Sequence, residues 1–172
     1  MIYTKNLNYK ESKKSLYLFQ VLAKKSTIDL YTDRKNESEY IWLMEDEKQI
    51  GFLSYSINEI PDSDRAFIYI VKIYILKEYR GNNLSSILFN EIEKIEDIKK
   101  KLNINVITLV SANKTLEDKL YKKIGFKELE DIRVIEQYSK IIRTQDPIMY
   151  RLKQVPKQDK IVENSELFNK VE

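Results

Sequence analysis

Leu16, Phe19, Leu22 and Ala23 recur at helical spacing behind Ser12 and Ser15, and Ile2 to Asn6 before them has strand character. The chain therefore opens on a short strand and a first helix. Ile28 to Tyr31 fits a short second helix, and the polar stretch Thr32 to Glu39 fits a loop. Tyr40 to Met44 and Gln49 to Ile57 are rich in β-branched and aromatic residues on either side of the acidic turn Glu45-Asp46-Glu47, which predicts a hairpin. Gly51, inside its second strand, fits a bulge, a close backbone approach or an ordinary strand entry.

Pro61-Asp62-Ser63-Asp64 marks the next turn, and Ala66 to Leu76 is a long strand with apolar residues on both faces, hence central and covered on both sides. A helix is predicted from Asn82 to Leu102, with Leu84, Ile87, Leu88, Ile92, Ile95 and Ile98 along one stripe and Asn82 or Asn83 as N-cap. Asn103 to Ala112 supplies another strand. Strand, helix and strand in this order imply a right-handed crossover and a locally parallel pair. Lys114 to Ile124 reads as a short helix closed by Gly125. Ile132 to Ile142 fits either strand or helix, and Pro147 to Leu152 resembles a final strand. One domain over residues 1–152 is expected, with a polar tail, 153–172, whose four lysines balance four acids. Ser165-Glu166-Leu167-Phe168 fits a short helix within that tail, which either frays or docks onto a second subunit of a homodimer.

A 42% hydrophobic content is enough to build a substantial core. The absence of cysteine rules out disulfides and thiolate nucleophiles, and the absence of histidine removes the usual general base and the Ser-His-Asp triad. With neither residue type the commonest metal ligands are gone too, so no metal is expected. The 30 basic and 27 acidic residues interleave along most of the chain, too evenly for a nucleic-acid footprint. Lys99-Lys100-Lys101 follows Glu91, Glu93, Glu96 and Asp97 on the predicted helix, an order that complements the helix dipole. No run approaches the roughly 18 apolar residues of a membrane span, and Met-Ile-Tyr-Thr-Lys lacks a secretory signal, so a cytoplasmic protein without membrane contact is expected.

Candidate chemistry gathers in two segments. Ile73 to Leu88 joins an apolar strand to an amphipathic helix through a polar turn bearing Arg80 and Gly81. Main-chain N–H groups of residues 80 to 86, without intrahelical partners and at the positive end of a helix dipole, would hold an anion such as a phosphate. Downstream, Leu120-Tyr121-Lys122-Lys123-Ile124-Gly125-Phe126 closes a second helix.

These segments, with the strand at Asn103 between them, resemble the GNAT superfamily of N-acetyltransferases over roughly Tyr40 to Leu152. The resemblance implies an α/β fold with a mixed, centrally parallel β-sheet flanked by helices. It also implies acetyl-CoA as acyl donor and a primary amine of a small molecule or peptide as acceptor. In the family, the helix-opening loop reads Arg or Gln, two residues, Gly, one residue, then Gly or Ala. Arg80 fills the first position, while Asn83 and Ser85 stand at the glycine and small-residue positions. Asn is the non-glycine residue that best tolerates positive φ, and a serine hydroxyl can donate to phosphate. Gly81, Asn82, Asn83, Leu84, Ser85 and Ser86 would then surround a pyrophosphate with Arg80, and main-chain groups of Ile73, Tyr74 and Ile75 would pair with the pantetheine arm. Asn113, Tyr121 and Gly125-Phe126 match the second family signature, although asparagine and tyrosine stand eight apart where the family has seven. The resemblance makes Tyr121 the acid that protonates the leaving thiolate, a role suited to a hydroxyl of ordinary pKa about 10.

The amine needs a base or a water relay. Candidate carboxylates are Glu37, Glu39, Asp62 and Asp64, and Lys72 in the central strand either borders an acceptor pocket or reaches solvent. Small metabolites, polyamines, aminoglycoside-like drugs and peptide amines all remain open as acceptors. Two alternatives keep the fold: a catalytically inert binding or regulatory module, and a toxin-type acetyltransferase acting on aminoacyl-tRNA.

Overall fold

The computed structural model of the chain describes residues 1–22, 38–96, 101–110 and 116–153. Its elements are β1 (Ile2–Asn8), α1 (Tyr9–Leu22), β2 (Glu39–Glu45), β3 (Lys48–Glu59), β4 (Arg65–Ile75), a 3-10 turn (Lys77–Tyr79), α2 (Ser85–Ile92), β5 (Asn103–Val110), α3 (Leu116–Lys123), β6 (Lys127–Glu128), α4 (Ile132–Ile142) and β7 (Ile148–Leu152). The strands form a mixed sheet in the order β1-β2-β3-β4-β5-β7-β6. The chain divides into two compact units, residues 1–56 with 70–95 and residues 57–69 with 96–172.

In the first unit, β1, β2 and β3 pair antiparallel. Asn8 starts α1: its side chain accepts from Glu11 N–H at 2.8 Å, and the Glu11 carboxylate accepts from Asn8 N–H at 3.0 Å. This reciprocal cap sets the helix start ahead of Ser12 and Ser15. Ser12 is instead buried and accepts the Trp42 indole N–H at 2.8 Å. Leu16 and Phe19 pack into an aromatic cluster with Tyr40, Trp42, Phe52 and Tyr74. Ile41 and Leu43 point to the opposite face by strand alternation and are also buried. Both helices of this unit, α1 and α2, pack on β1 and β2. The predicted short helix at Ile28 to Tyr31 lies outside the described residues.

Gly51 realises two of its readings at once. The β2–β3 register shifts between Leu43 and Met44, leaving Ile50 as the extra residue of a bulge. The carbonyl of Ile50 accepts Leu76 N–H at 2.9 Å, and a Cβ on Gly51 would stand 2.8 Å from the Tyr74 carbonyl oxygen. Glycine is thus required for the approach of β3 to β4, and the bulge fixes where β4 ends.

In the second unit, Asn103 N–H donates to Asp64 O at 2.8 Å and the Thr108 hydroxyl to Ile68 O at 3.0 Å. The contacts advance in the same direction along both strands, which is the parallel sense predicted for the crossover. Next to β5 runs β7, antiparallel, and then β6. Ile132 to Ile142 is a helix, capped by the Asp131 carboxylate on Arg133 N–H and held by Tyr138, whose ring stacks on Phe67 at 4.1 Å.

The helix after Gly81 departs from expectation at both ends. It runs from Ser85 to Ile92, with Leu84 and not an asparagine at the N-cap. Glu91, Glu93 and Glu96 gather at its C-terminal end, where the dipole disfavours negative charge, and the last turn tightens through Lys94 N–H to Glu91 O and Ile95 N–H to Ile92 O. The helix thus ends before Lys99-Lys100-Lys101. Residues 97–100 lie outside the described set, and Lys101 is in a turn at φ 53°.

Gly51→Ala should cost about 1–3 kcal/mol, because the new methyl must push β3 away from the Tyr74 carbonyl. The urea midpoint measures it, and an unchanged midpoint would show that the two strands can part without penalty.

Candidate active site

β4 leads through the 3-10 turn into the loop at Arg80 to Leu84. Tyr79 anchors the turn, its hydroxyl donating to Glu45 at 3.1 Å while the Lys48 ammonium lies 5.4 Å over its ring. The Asn82 amide donates back to Tyr79 O at 3.3 Å, and Arg80 Nε donates to Ile75 O at 2.8 Å, with its guanidinium 5.3 Å over the Tyr74 ring. Arg80 thus bolts the loop to the strand it left, and Ile75 O already has a partner.

Gly81 is left-handed at φ 83° and Asn83 at φ 57°. The carbonyl of Asn83 accepts from Ser86 N–H at 3.3 Å and from the Ser86 hydroxyl at 2.7 Å. Arg80 N–H donates to Lys77 O at 3.2 Å. The N–H groups of Arg80 and Ser86 are therefore engaged, and of the expected 80 to 86 cradle the inner members remain: from Gly81 to Ser85 no main-chain N–H finds an acceptor among the described residues. Alternation of left- and right-handed residues makes successive N–H groups converge into an anion-binding concavity. No acid occurs between Arg80 and Ser86, so the donor set suits a diphosphate. A Cβ on Gly81 would meet nothing within 4 Å, so the loop is open on that side.

In the other unit, α3 ends in a complete Schellman closure. Phe126 N–H donates to Tyr121 O at 3.0 Å and Gly125 N–H to Lys122 O at 3.1 Å, with Gly125 at φ 97°. The contact that accompanies such closures is made by the Tyr121 and Phe126 rings, edge to face at 6.1 Å. Tyr121 is half-buried and Phe126 is 1% exposed. Asn113 and Glu37 lie outside the described residues.

Asp62 and Asp64 are exposed in the β3–β4 turn of the second unit, and Lys72 is half-buried on β4. Glu39 opens β2, not a loop, directly opposite Tyr55. Partial burial and then the nearby Glu11 carboxylate hold its pKa above the ordinary value. Burial, and then the charge of Glu39, pushes the Tyr55 hydroxyl up to about 12.

The model of the acetyltransferase (GNAT) domain matches residues 37–128, more than half of the chain. The chain belongs to the GNAT acetyltransferases. No curated protein matches it. Among solved structures, a GNAT-family acetyltransferase from Staphylococcus aureus Mu50 is similar at 16% identity and a TM-score of 0.61, over 90% of this chain and 100% of that one. Arabidopsis thaliana Naa50, in complex with the bisubstrate analogue CoA-Ac-MVNAL, is similar at 21% identity and a TM-score of 0.55, over 87% and 97%. The PaiA N-acetyltransferase from Thermoplasma acidophilum, in complex with coenzyme A, is similar at 17% identity and a TM-score of 0.54, over 88% and 99%.

In this GNAT acetyltransferase Asn83 takes a left-handed backbone, a conformation that glycine also adopts freely. What the sequence did not disclose is Arg151 on β7, whose Nη1 donates to Ile124 O at 2.7 Å beside Tyr121's helix. An arginine inside an apolar strand was the available signal.

Because the raised pKa of Glu39 favours its protonated form in the folded protein, the ionised carboxylate costs stability above the unfolded value of about 4.3. Glu39→Gln should raise Tm at pH 7, and the gain should vanish as pH falls below about 4. The effect is small and screened by salt, since the residue is exposed. Thermal melts at the two pH values check it, and a gain that persists at low pH would assign it to something other than charge.

Proposed function

We propose that the main-chain N–H groups from Gly81 to Ser85 hold the pyrophosphate of acetyl-CoA, and that Tyr121 protonates the departing thiolate in acetyl transfer to a primary amine of a small molecule or peptide. The observation that carries the reading is the run of N–H groups from Gly81 to Ser85 that find no acceptor among the described residues, in a loop whose backbone is left-handed at Gly81 and Asn83. Arg80 supports it by shaping the loop, through Ile75 O, and Ser86 by tying its hydroxyl to Asn83 O. Main-chain groups of Ile73 and Tyr74, and the N–H of Ile75, are assigned to the pantetheine arm, and Asn113 is retained as a cofactor contact on the family signature.

When bound, acetyl-CoA supplies a thioester carbon open to attack by an amine. Tyr121 would deliver its phenolic proton to sulfur as the carbon–sulfur bond breaks. The incoming amine must shed a proton, directly or through water, to a carboxylate such as Glu39, whose pKa partial burial raises above the ordinary value. The peptide-bearing analogue on Naa50 supports an acceptor of the peptide class, and the even charge of this chain speaks against nucleic acid. A cytoplasmic setting goes with this reading; among the described residues no helix is long and apolar enough to cross a membrane.

Acetyl-CoA at a hundred times its Kd should add about 2.7 kcal/mol, roughly 5–10 °C in Tm for a chain of this size. Tyr121→Phe should keep that shift while slowing thiol release by about 100-fold, measured across spermidine, kanamycin and an alanyl-terminated peptide as amine probes. Absence of the thermal shift would point to a module that has lost its cofactor, and unchanged turnover in Tyr121→Phe would remove the tyrosine from the acid role.

Asn83→Gly should leave cofactor binding within a few-fold, because glycine adopts the same left-handed backbone. Asn83→Val should weaken it at least tenfold, since a β-branched residue resists positive φ. Equal affinities for the two variants, by calorimetry, would show that the loop conformation is not what binds.

A further inference from the structure

We propose that Arg151 is a positioning residue for Tyr121, its guanidinium closing the C-terminus of α3 and fixing the tyrosine ring through Phe126; the proposal rests on the acid role assigned to Tyr121 above. An eight-residue helix has little stability of its own, so its last turn must be held from outside. The Schellman bonds occupy the Tyr121 and Lys122 carbonyls and leave Ile124 O at the negative end of the dipole. Arg151 Nη1 donates to that oxygen at 2.7 Å. The same guanidinium lies 5.2 Å over the Phe126 ring, which meets the Tyr121 ring edge to face.

The arginine stem reaches this place by crossing Gly125, where a Cβ would stand 3.2 Å from Arg151 Cδ. Glycine is needed there for its positive φ, and the absence of a side chain leaves the arginine stem room to cross. Arg151 is itself held by the sheet, paired with Ile107 of β5, and Lys153 N–H donates to Asn105 O at 2.7 Å just beyond it. Sheet, guanidinium, Phe126 and Tyr121 thus form one continuous stack. Only a planar guanidinium can donate in its plane to Ile124 O while presenting a face to an aromatic ring, so lysine can replace it only in part.

The test combines 3-fluorotyrosine labelling, with the Tyr121 fluorine line assigned through Tyr121→Phe, and thiol release from acetyl-CoA with the amine probes above, or by water where no amine turns over. In Arg151→Met the Tyr121 line should move or broaden while the other tyrosine lines stay, and kcat should fall about tenfold with the acetyl-CoA KM unchanged. Arg151→Lys, which keeps the charge and guards against a folding failure, should be intermediate in both. In the Tyr121→Phe background, Arg151→Met should add no further loss of kcat. An unmoved Tyr121 line, or the same loss with and without the tyrosine hydroxyl, would overturn the proposal and leave Arg151 a general stabiliser. An unchanged rate in Tyr121→Phe alone overturns instead the acid role, a failure the fluorine line tells apart because it reports the ring and not the chemistry.

Discussion

Two backbone torsions of the wrong hand for ordinary residues, at Gly81 and Asn83, shape a stretch of peptide N–H groups that find no acceptor among the described residues. Unpaired donors in a folded chain are costly unless water or a ligand satisfies them, and a helix start adds a positive potential behind them. Much of the surrounding first unit serves to keep this stretch in shape. The Ile50 bulge and Gly51 fix the end of β4, Tyr79 is tied to Glu45, and Arg80 returns to Ile75 O. An arginine at the head of the loop invites the thought of a direct phosphate contact; here its Nε donates to Ile75 O and its guanidinium lies over the Tyr74 ring.

The second part of the proposed chemistry follows the same logic on a different element. Tyr-x-x-x-Gly-Phe is a statement about helix ends before it is one about catalysis. Tyrosine and phenylalanine occupy the two positions that a Schellman closure brings into contact, with glycine between them supplying the positive φ. A residue whose helix end is closed by Schellman bonds and whose ring meets a buried phenylalanine has little freedom to stray. That rigidity is what a proton donor needs if it is to meet a departing sulfur in one geometry.

The hairpin, the central strand, the parallel crossover and the stop at Gly125 were legible because each is written in local period or in a punctuating residue. The start of α2 was not. Both asparagines that read as caps are used inside the loop, one by adopting a left-handed backbone and the other by donating to Tyr79 O. Ile132 to Ile142 was ambiguous because β-branched residues at helical spacing suit either element, and a distant ring, Phe67 on Tyr138, settled it. The left-handed backbone expected of Asn83 was readable from its residue type, since asparagine is the non-glycine residue that best tolerates positive φ. Arg151 stood out only as an arginine inside an apolar strand, and its contacts with Ile124 O and Phe126 could not be read from the sequence because they span long separations.

The central claim is that peptide nitrogens, and not side-chain charges, grip the cofactor's diphosphate. A titration of the nitrogen-15-labelled protein with coenzyme A, read amide by amide, tests it most directly. The largest downfield proton shifts should fall on Gly81 to Ser85, with Arg80 and Ser86, already bonded, moving less. Saturable binding that leaves those five amides in place and perturbs another surface would contradict the account.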